Sequence, residues 1–269
     1  MIRLERKDFL PADTFECGQC FRWYQNEDGS YSGIAGEYPA NISIDEKNIY
    51  IDGAGDEAFW INYLDMKRDY EGIKEELSNR DEKIRDCIDA GAGIHILNQD
   101  RWETIVSFII SQNNNISRIR KCIENLSDNF GEYAGEAGGR KFNKVPDKEV
   151  LAGLSVSDLA PVRLGYRAKY LIDTARADFD PCDNLTYDDI IALPGVGPKV
   201  ASCIMLFAYG DFASFPIDVW VKRVMHDVYG FDENDTRGMK RFAEETFGDS
   251  GGIAQQYLFH YVRNIKNIT

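Results

Sequence analysis

The chain of 269 residues is 43% hydrophobic and 28% charged, which is ordinary for a globular protein and enough for one large or two to three small domains. No apolar run approaches the roughly 18 residues a membrane helix needs, and Met1–Lys7 lacks a signal-peptide core, so a cytoplasmic protein is expected. A net charge of −14 excludes a uniformly basic surface, and six cysteines in no paired framework with three scattered histidines exclude a disulfide scaffold and a zinc centre.

Residues 1 to about 60 read as short strands and turns. Phe21–Tyr24, Tyr31–Ile34, Asn41–Ile44 and Asn48–Ile51 are β-favouring runs, separated by turn signals at Asn26–Gly29, Gly36 and Asp52-Gly53. An antiparallel sheet follows from this pattern. Phe59–Tyr63 and Tyr70–Ala90 turn helical and charged, completing an N-terminal unit over residues 1–93. From Gly91 onward only helices are expected, giving an α+β chain whose second unit covers residues 94–269.

Trp102, Ile105, Val106, Phe108 and Ile109 mark a buried helix that ends at Ser111–Asn115. Ile116, Ile119, Ile123 and Leu126 mark the next one. Gly131–Gly139 reads as a glycine-rich loop, Ser155–Leu159 as the start of a short helix, and Leu164-Gly165-Tyr166 as a turn before a helix over 168–177. Basic residues cluster at Arg118, Arg120 and Lys121, and again at Arg163, Arg167 and Lys169. Acids crowd Asp65–Asp89 and Asp178–Asp189, so a split surface is expected.

The most informative stretch is Leu193-Pro194-Gly195-Val196-Gly197-Pro198-Lys199, between a helix ending near Ala192 and one carrying Val200, Ile204, Phe207 and Ala208. Gly195 and Gly197 let the backbone turn tightly, and N–H groups at the mouth of the second helix suit a phosphate. An ordinary helix–turn–helix corner reads the same way from the glycines alone. Lys199 lies in that helix's first turn, where the dipole disfavours a cation and favours a neutral, nucleophilic amine. Asp218, in Phe215-Pro216-Ile217-Asp218-Val219-Trp220, precedes the run Val221, Val224, Met225, Val228 as an N-cap. After a glycine hairpin, the lysine and the acid look like a reactive pair.

This hairpin, spanning about 186–208, together with Ile217-Asp218-Val219, resembles the helix-hairpin-helix–GPD superfamily of DNA glycosylases. The nineteen-residue separation of Lys199 and Asp218 is that of its 8-oxoguanine DNA glycosylase/AP lyases. Further segments share the resemblance. Gly18-Gln19-Cys20-Phe21-Arg22-Trp23 matches the family's G-Q-x-F-R-W, in which the glycine carbonyl is implied to accept from the N7–H that 8-oxoguanine has and guanine lacks. Asn113-Asn114-Asn115 matches an asparagine run whose first member, Asn113, is implied to fill the space left by the flipped nucleotide. Arg118 and Arg167 match the arginines implied to read the stranded cytosine, and Tyr166 matches the wedge that buckles the duplex. In Ala254–Phe259, Phe259 is implied to stack on the flipped base, with Cys203 on its other face and Gln255 on its Watson–Crick edge.

The resemblance implies a monomer that docks duplex DNA containing oxidised guanine opposite cytosine through Gly195 and Gly197, at a hairpin that in such proteins often holds a monovalent cation. It implies excision by Lys199 through a Schiff base, with Asp218 stabilising charge on the sugar, followed by β-elimination. No metal or redox cofactor is needed for that chemistry, and the terminal cysteine cluster of the iron–sulfur glycosylases is absent, since no cysteine follows Cys203. Given the acidic net charge, DNA affinity is expected to be moderate and salt-sensitive. One departure is Trp220, where the family often has a histidine near the DNA backbone. Two other readings share parts of the pattern: a glycosylase for another damaged purine, and a hairpin module that binds DNA without chemistry.

Overall fold

A computed structural model describes residues 1–264. The N-terminal part forms a five-stranded antiparallel sheet from β1 (Ile2–Glu5), β2 (Trp23–Gln25), β3 (Tyr31–Ala35), β4 (Tyr38–Ile44) and β5 (Asn48–Gly53), in the order β1-β5-β4-β3-β2. The expected sheet is present and gains β1, which pairs Ile2 with Ile51 at one edge. Phe21 and Arg22 lie outside the ladder, where the chain bends before Trp23. The turns have local causes. Asp45, for example, accepts from Lys47 N and Asn48 N between β4 and β5.

Helix α1 (Pro11–Glu16) and α2 (Glu57–Tyr63) cover this sheet, with Phe15 stacked on Trp23 at 4.4 Å between ring centroids. The helical stretch after Tyr70 breaks into α3 (Tyr70–Arg80), a 3-10 turn at Glu82–Ile84 and α4 (Arg85–Ala90). The break is at Asp81, whose carboxylate accepts from Lys83 N and starts the new turn. Residues 93–99 then run extended along α1 before the remaining helices.

Those helices are α5 (Arg101–Ser111), α6 (Ile116–Phe130), α7 (Lys148–Gly153), α8 (Arg167–Arg176), α9 (Tyr187–Ile191), α10 (Pro198–Tyr209), α11 (Val219–Tyr229), α12 (Thr236–Phe247) and α13 (Gly251–Asn264). Central α5 is apolar on almost every face, burying Ile105, Val106, Phe108, Ile109 and Ile110 against α6, α8 and α10. Among the described residues no helix is long and apolar enough to cross a membrane.

Two expectations need correction. The chain after Gly91 is not purely helical, because the segment read as a glycine-rich loop is a β-hairpin, β6 (Tyr133–Ala137) with β7 (Arg140–Asn143). Its glycines serve the hairpin. Gly138 and Gly139 take positive φ at the turn, and Gly135 sits at a bulge. Ala137 and Phe142 pack on Ile34, so this hairpin extends the sheet's own core. The helix expected from Ser155 is instead a turn tied by Asp158 to Ser155 N, followed by a 3-10 turn at Ala160–Val162. Pro161 lacks the N–H that a continuing helix would use there.

Candidate active site

The hairpin between α9 and α10 forms for reasons visible residue by residue. Thr186 and Asp189 make a reciprocal capping box at the start of α9. Val196 N donates to Leu193 O at 3.1 Å, and Gly195 turns the chain at φ +77. A Cβ at Gly195 would stand 2.3 Å from Tyr170 Cγ, so glycine is required there both for its dihedral and for the close ring. Gly197 is different, because it N-caps α10 in extended backbone with open space where a Cβ would be. Thr174 Oγ1 donates to Pro194 O at 3.0 Å, fixing the hairpin to α8. The hairpin carries no charged side chain between Leu193 and Pro198, so what it offers a ligand is backbone N–H and carbonyl groups. Among the described residues no group of three or more His, Cys, Asp or Glu side chains converges to hold a metal.

Lys199 follows Pro198 in the first turn of α10 and is half-buried, its Nζ 5.3 Å from the centre of the Phe108 ring. One turn on, Cys203 is almost fully buried on the same face. Burial pushes its thiol up, with the nearby Lys199 offsetting part of that and Asp218 adding to it. Both members of the expected pair therefore bear electrostatically on the Cys203 thiol. Asp218 is the N-cap of α11, its Oδ1 accepting from Trp220 N at 2.9 Å and Val221 N at 2.8 Å. The second oxygen, Oδ2, has no hydrogen-bond partner among the described residues. The carboxylate is thus aimed by its own helix with one oxygen to spare.

A third wall comes from α13, where Gln255, Phe259 and Arg263 lie four residues apart along one face. Gln255 Oε1 accepts from Gln256 Nε2 at 2.7 Å. The Phe259 ring lies against Gly18, where an added Cβ would be 3.2 Å from both Cε1 and Cζ. Gly18 itself takes φ +80. Arg263, which carries no signal in the sequence beyond its spacing from Phe259, donates to Glu16 O at 2.8 Å and lies 5.8 Å from the Phe259 ring. Thus Gly18 and Phe259, from opposite ends of the chain, are in contact, with Gln255 one turn from Phe259 on α13 and Cys203 one turn from Lys199 on α10. Phe21 and Phe108, rings in edge contact at 5.7 Å, connect the Gly18 turn to Lys199.

The expected DNA-facing residues lie along one edge. Tyr166 is 53% exposed, and its ring meets Tyr170, the ring packed under Gly195, at 5.7 Å. Asn113 is exposed at φ +46, Asn115 caps α6 by accepting from Arg118 N, and Arg118 is exposed. Arg167, expected beside Arg118 as a reader of cytosine, is only 4% exposed and turned inward in this structure. Its guanidinium donates to Gln112 O, to Asn113 O at 2.9 Å and to Leu164 O at 3.2 Å. It thus satisfies carbonyls just past the C-terminus of α5, where a cation is favoured. The basic clusters are also partly neutralised, Arg120 by Glu16, Lys121 by Glu124 and Lys169 by Asp173. At Trp220 the half-buried indole carries the exposed Arg223 guanidinium 4.9 Å from its ring, so a cation stands one turn along α11 from the family's histidine position.

Residues 1–105 match the model of the 8-oxoguanine DNA glycosylase N-terminal domain, and residues 106–248 match that of HhH-GPD superfamily base excision DNA repair proteins. A probable N-glycosylase/DNA lyase of Methanothermobacter thermautotrophicus is 30% identical, covering 76% of this chain and 74% of that one. Among solved structures, MBOgg1 in complex with a low-affinity DNA ligand superposes with a TM-score of 0.91 at 41% identity, over 96% of this chain and 93% of that one. The Clostridium acetobutylicum 8-oxoguanine glycosylase/lyase, bound to double-stranded DNA with cytosine opposite 8-oxoguanine, gives 0.91 at 36% identity over 100% and 99%. A 3-methyladenine DNA glycosylase from Archaeoglobus fulgidus shares the fold, with a TM-score of 0.76 at 19% identity over 98% of this chain and 99% of that one. The hairpin, the lysine and the capping acid thus stand where whole-chain similarity also points: the chain belongs to the HhH-GPD superfamily of base excision DNA repair proteins, with an N-terminal domain of the 8-oxoguanine DNA glycosylase kind.

Proposed function

We propose that the protein is a bifunctional DNA glycosylase/AP lyase that removes 8-oxoguanine from duplex DNA, with cytosine as the partner base. What supports this is a half-buried Lys199 in the first turn of α10, an Asp218 that caps α11 with one carboxylate oxygen unbonded among the described residues, and the Gly18–Phe259 contact. A module that only gripped phosphates would have no use for either side chain.

In this reading the hairpin N–H groups near Gly195 and Gly197 hold the DNA backbone, and the hairpin carbonyls take a monovalent cation. Tyr166 enters the stack and Asn113 fills the space left by the extruded guanine, offsetting part of the few kcal/mol that unstacking costs. Arg118 reads the stranded cytosine, and Arg167 joins it by exchanging its carbonyl partners for the base edge. Phe259 swings from Gly18 to stack on the lesion, Cys203 covers the other face, and Gln255 bonds the Watson–Crick edge. The Gly18 carbonyl accepts the N7–H of 8-oxoguanine and would face a lone pair on guanine. The Lys199 amine attacks C1′ as the glycosidic bond breaks, the electron pair leaving with the base. Asp218 stabilises the positive charge that develops on the sugar. The sugar ring then opens, the C1′–O4′ bond breaking as the nitrogen gives up a proton and O4′ takes one, to leave a Schiff base; loss of a C2′ proton from it expels the 3′-phosphate and nicks the strand.

Borohydride should trap a covalent complex between the protein and an 8-oxoguanine duplex. Lys199→Gln should trap none, and equal trapping by that variant would overturn the assignment. A panel of lesion duplexes, run against all four opposite bases, tests the substrate. Faster release of an alkylated purine than of 8-oxoguanine would point to the other glycosylase class.

A further inference from the structure

Gln19 takes no part in the chemistry above, yet it is completely buried and its carboxamide is fully engaged. Its Nε2 donates to Thr14 O at 2.9 Å, to His95 O at 2.8 Å and to Cys17 Sγ at 3.2 Å. Its Oε1 accepts from Leu97 N at 2.8 Å. Its own backbone carbonyl accepts from Gln99 Nε2 at 2.8 Å. These partners belong to the extended segment 93–99 and to the end of α1. The same two stretches are tied by Thr14 Oγ1 to Gly93 O and by His95 N to Thr14 Oγ1. The carbonyl of Gly18 belongs to the peptide plane that it shares with Gln19. Anchoring the side chain and carbonyl of Gln19 holds its Cα, one end of that plane, and so restricts the directions in which the Gly18 oxygen can point. Gly18, at φ +80 with no side chain of its own, depends on its neighbours in the chain and on the packing of Phe259 to hold that direction.

We propose that Gln19 is a positioning residue for lesion reading, which aims the Gly18 carbonyl at the flipped base. The inference rests on the functional reading above and adds a residue to it. The side chain must be an amide. A glutamate would set a carboxylate oxygen against the Thr14 and His95 carbonyls, and a methionine would fill the volume but leave those carbonyls and Leu97 N unpaired. Misdirection of one recognising acceptor should harm discrimination while leaving the lysine and its acid untouched, because Lys199 and Asp218 are set by the ends of α10 and α11.

Two rates on the same protein test this. Gln19→Met should release 8-oxoguanine opposite cytosine at least ~10-fold more slowly in single turnover, while cleaving a preformed abasic site within ~2-fold of wild type. Cleavage of an abasic site needs Lys199 but has no base for Gly18 to read. Gln99→Met, which removes only the bond to the Gln19 carbonyl, should shift the ratio of the two rates in the same direction by a smaller factor. Equal loss in both assays would make Gln19 a purely structural residue, and no loss in either would remove it from the mechanism; each outcome overturns the proposal. A wild-type chain that leaves the 8-oxoguanine duplex intact yet is trapped on an abasic site would instead overturn the substrate reading.

Discussion

The lysine wall of the site and the glycine wall facing it are held in place by different means. Lys199 and Asp218 are positioned locally, each in the first turn or cap of its own helix, with Gly195 closing the hairpin between α9 and α10. Gly18 is positioned from afar, by Gln19 contacts to residues 95, 97 and 99 and by Arg263 from α13. Chemistry common to many members of a superfamily thus rests on short-range geometry that any similar hairpin supplies. On the proposed reading, recognition of the base rests on bonds between residues far apart in the chain, from Gln19 to His95, Leu97 and Gln99 and from Arg263 to Glu16.

Substitutions can separate the two walls. The largest effect should come from Asp218→Asn, which keeps a capping oxygen for Trp220 N and Val221 N but removes the charge. Single-turnover excision should fall by roughly 10²–10³, with a melting temperature close to wild type. A large loss of stability would instead show that the local wall depends on that charge to fold. Next in size, Gly195→Ala should cost about 2–4 kcal/mol in urea unfolding, from its φ of +77 and the Tyr170 ring 2.3 Å from the new Cβ. By contrast Gly197→Ala, with open space around it, should cost no more than about 1 kcal/mol.

A third test probes the long-range wall through pH. Burial lifts the Glu103 carboxyl from 4.5 to about 7, against the opposing pull of Arg22 at 3.3 Å. The folded chain therefore holds a proton there that the unfolded chain releases. Stability associated with this group is greatest below pH 4.5, falls as pH rises, and is lost above about 7. Glu103→Gln should flatten that fall by on the order of 1–3 kcal/mol between pH 5 and 8, read from urea midpoints. The smallest effect should come from Lys169→Ala, whose partner is the adjacent-turn Asp173 on an exposed face. Stability should change by less than about 0.5 kcal/mol, and the salt dependence of DNA binding by no more than about one counterion.

The same contrast explains what could be read in the sequence. The N-cap at Asp218, the hairpin from Leu193 to Lys199 and the helix α5 follow from residues within a few positions of one another, and the structure has them where the pattern puts them. The β6–β7 hairpin was hidden because its glycines look like a loop and its core partner, Ile34, lies a hundred residues earlier. Strand β1 leaves little signal because it stands at the sheet edge and pairs with β5, far along the chain. Arg167 looked like a free cation beside Tyr166, and nothing local tells that the carbonyls of Gln112 and Asn113 would draw it inward. Arg263 and Gln99 are polar residues whose roles exist only once the two halves have come together.

The hairpin from Tyr133 to Asn143 carries a practical consequence for anyone dividing this molecule. It begins in the helical half but lays Phe142 and Ala137 against the strand containing Ile34. A cut near residue 93 would leave one fragment with an oily strand face uncovered and the other with an aromatic finger that has nowhere to lodge. Neither fragment should stay dispersed alone, whereas the pair expressed together should reassociate and melt in one transition.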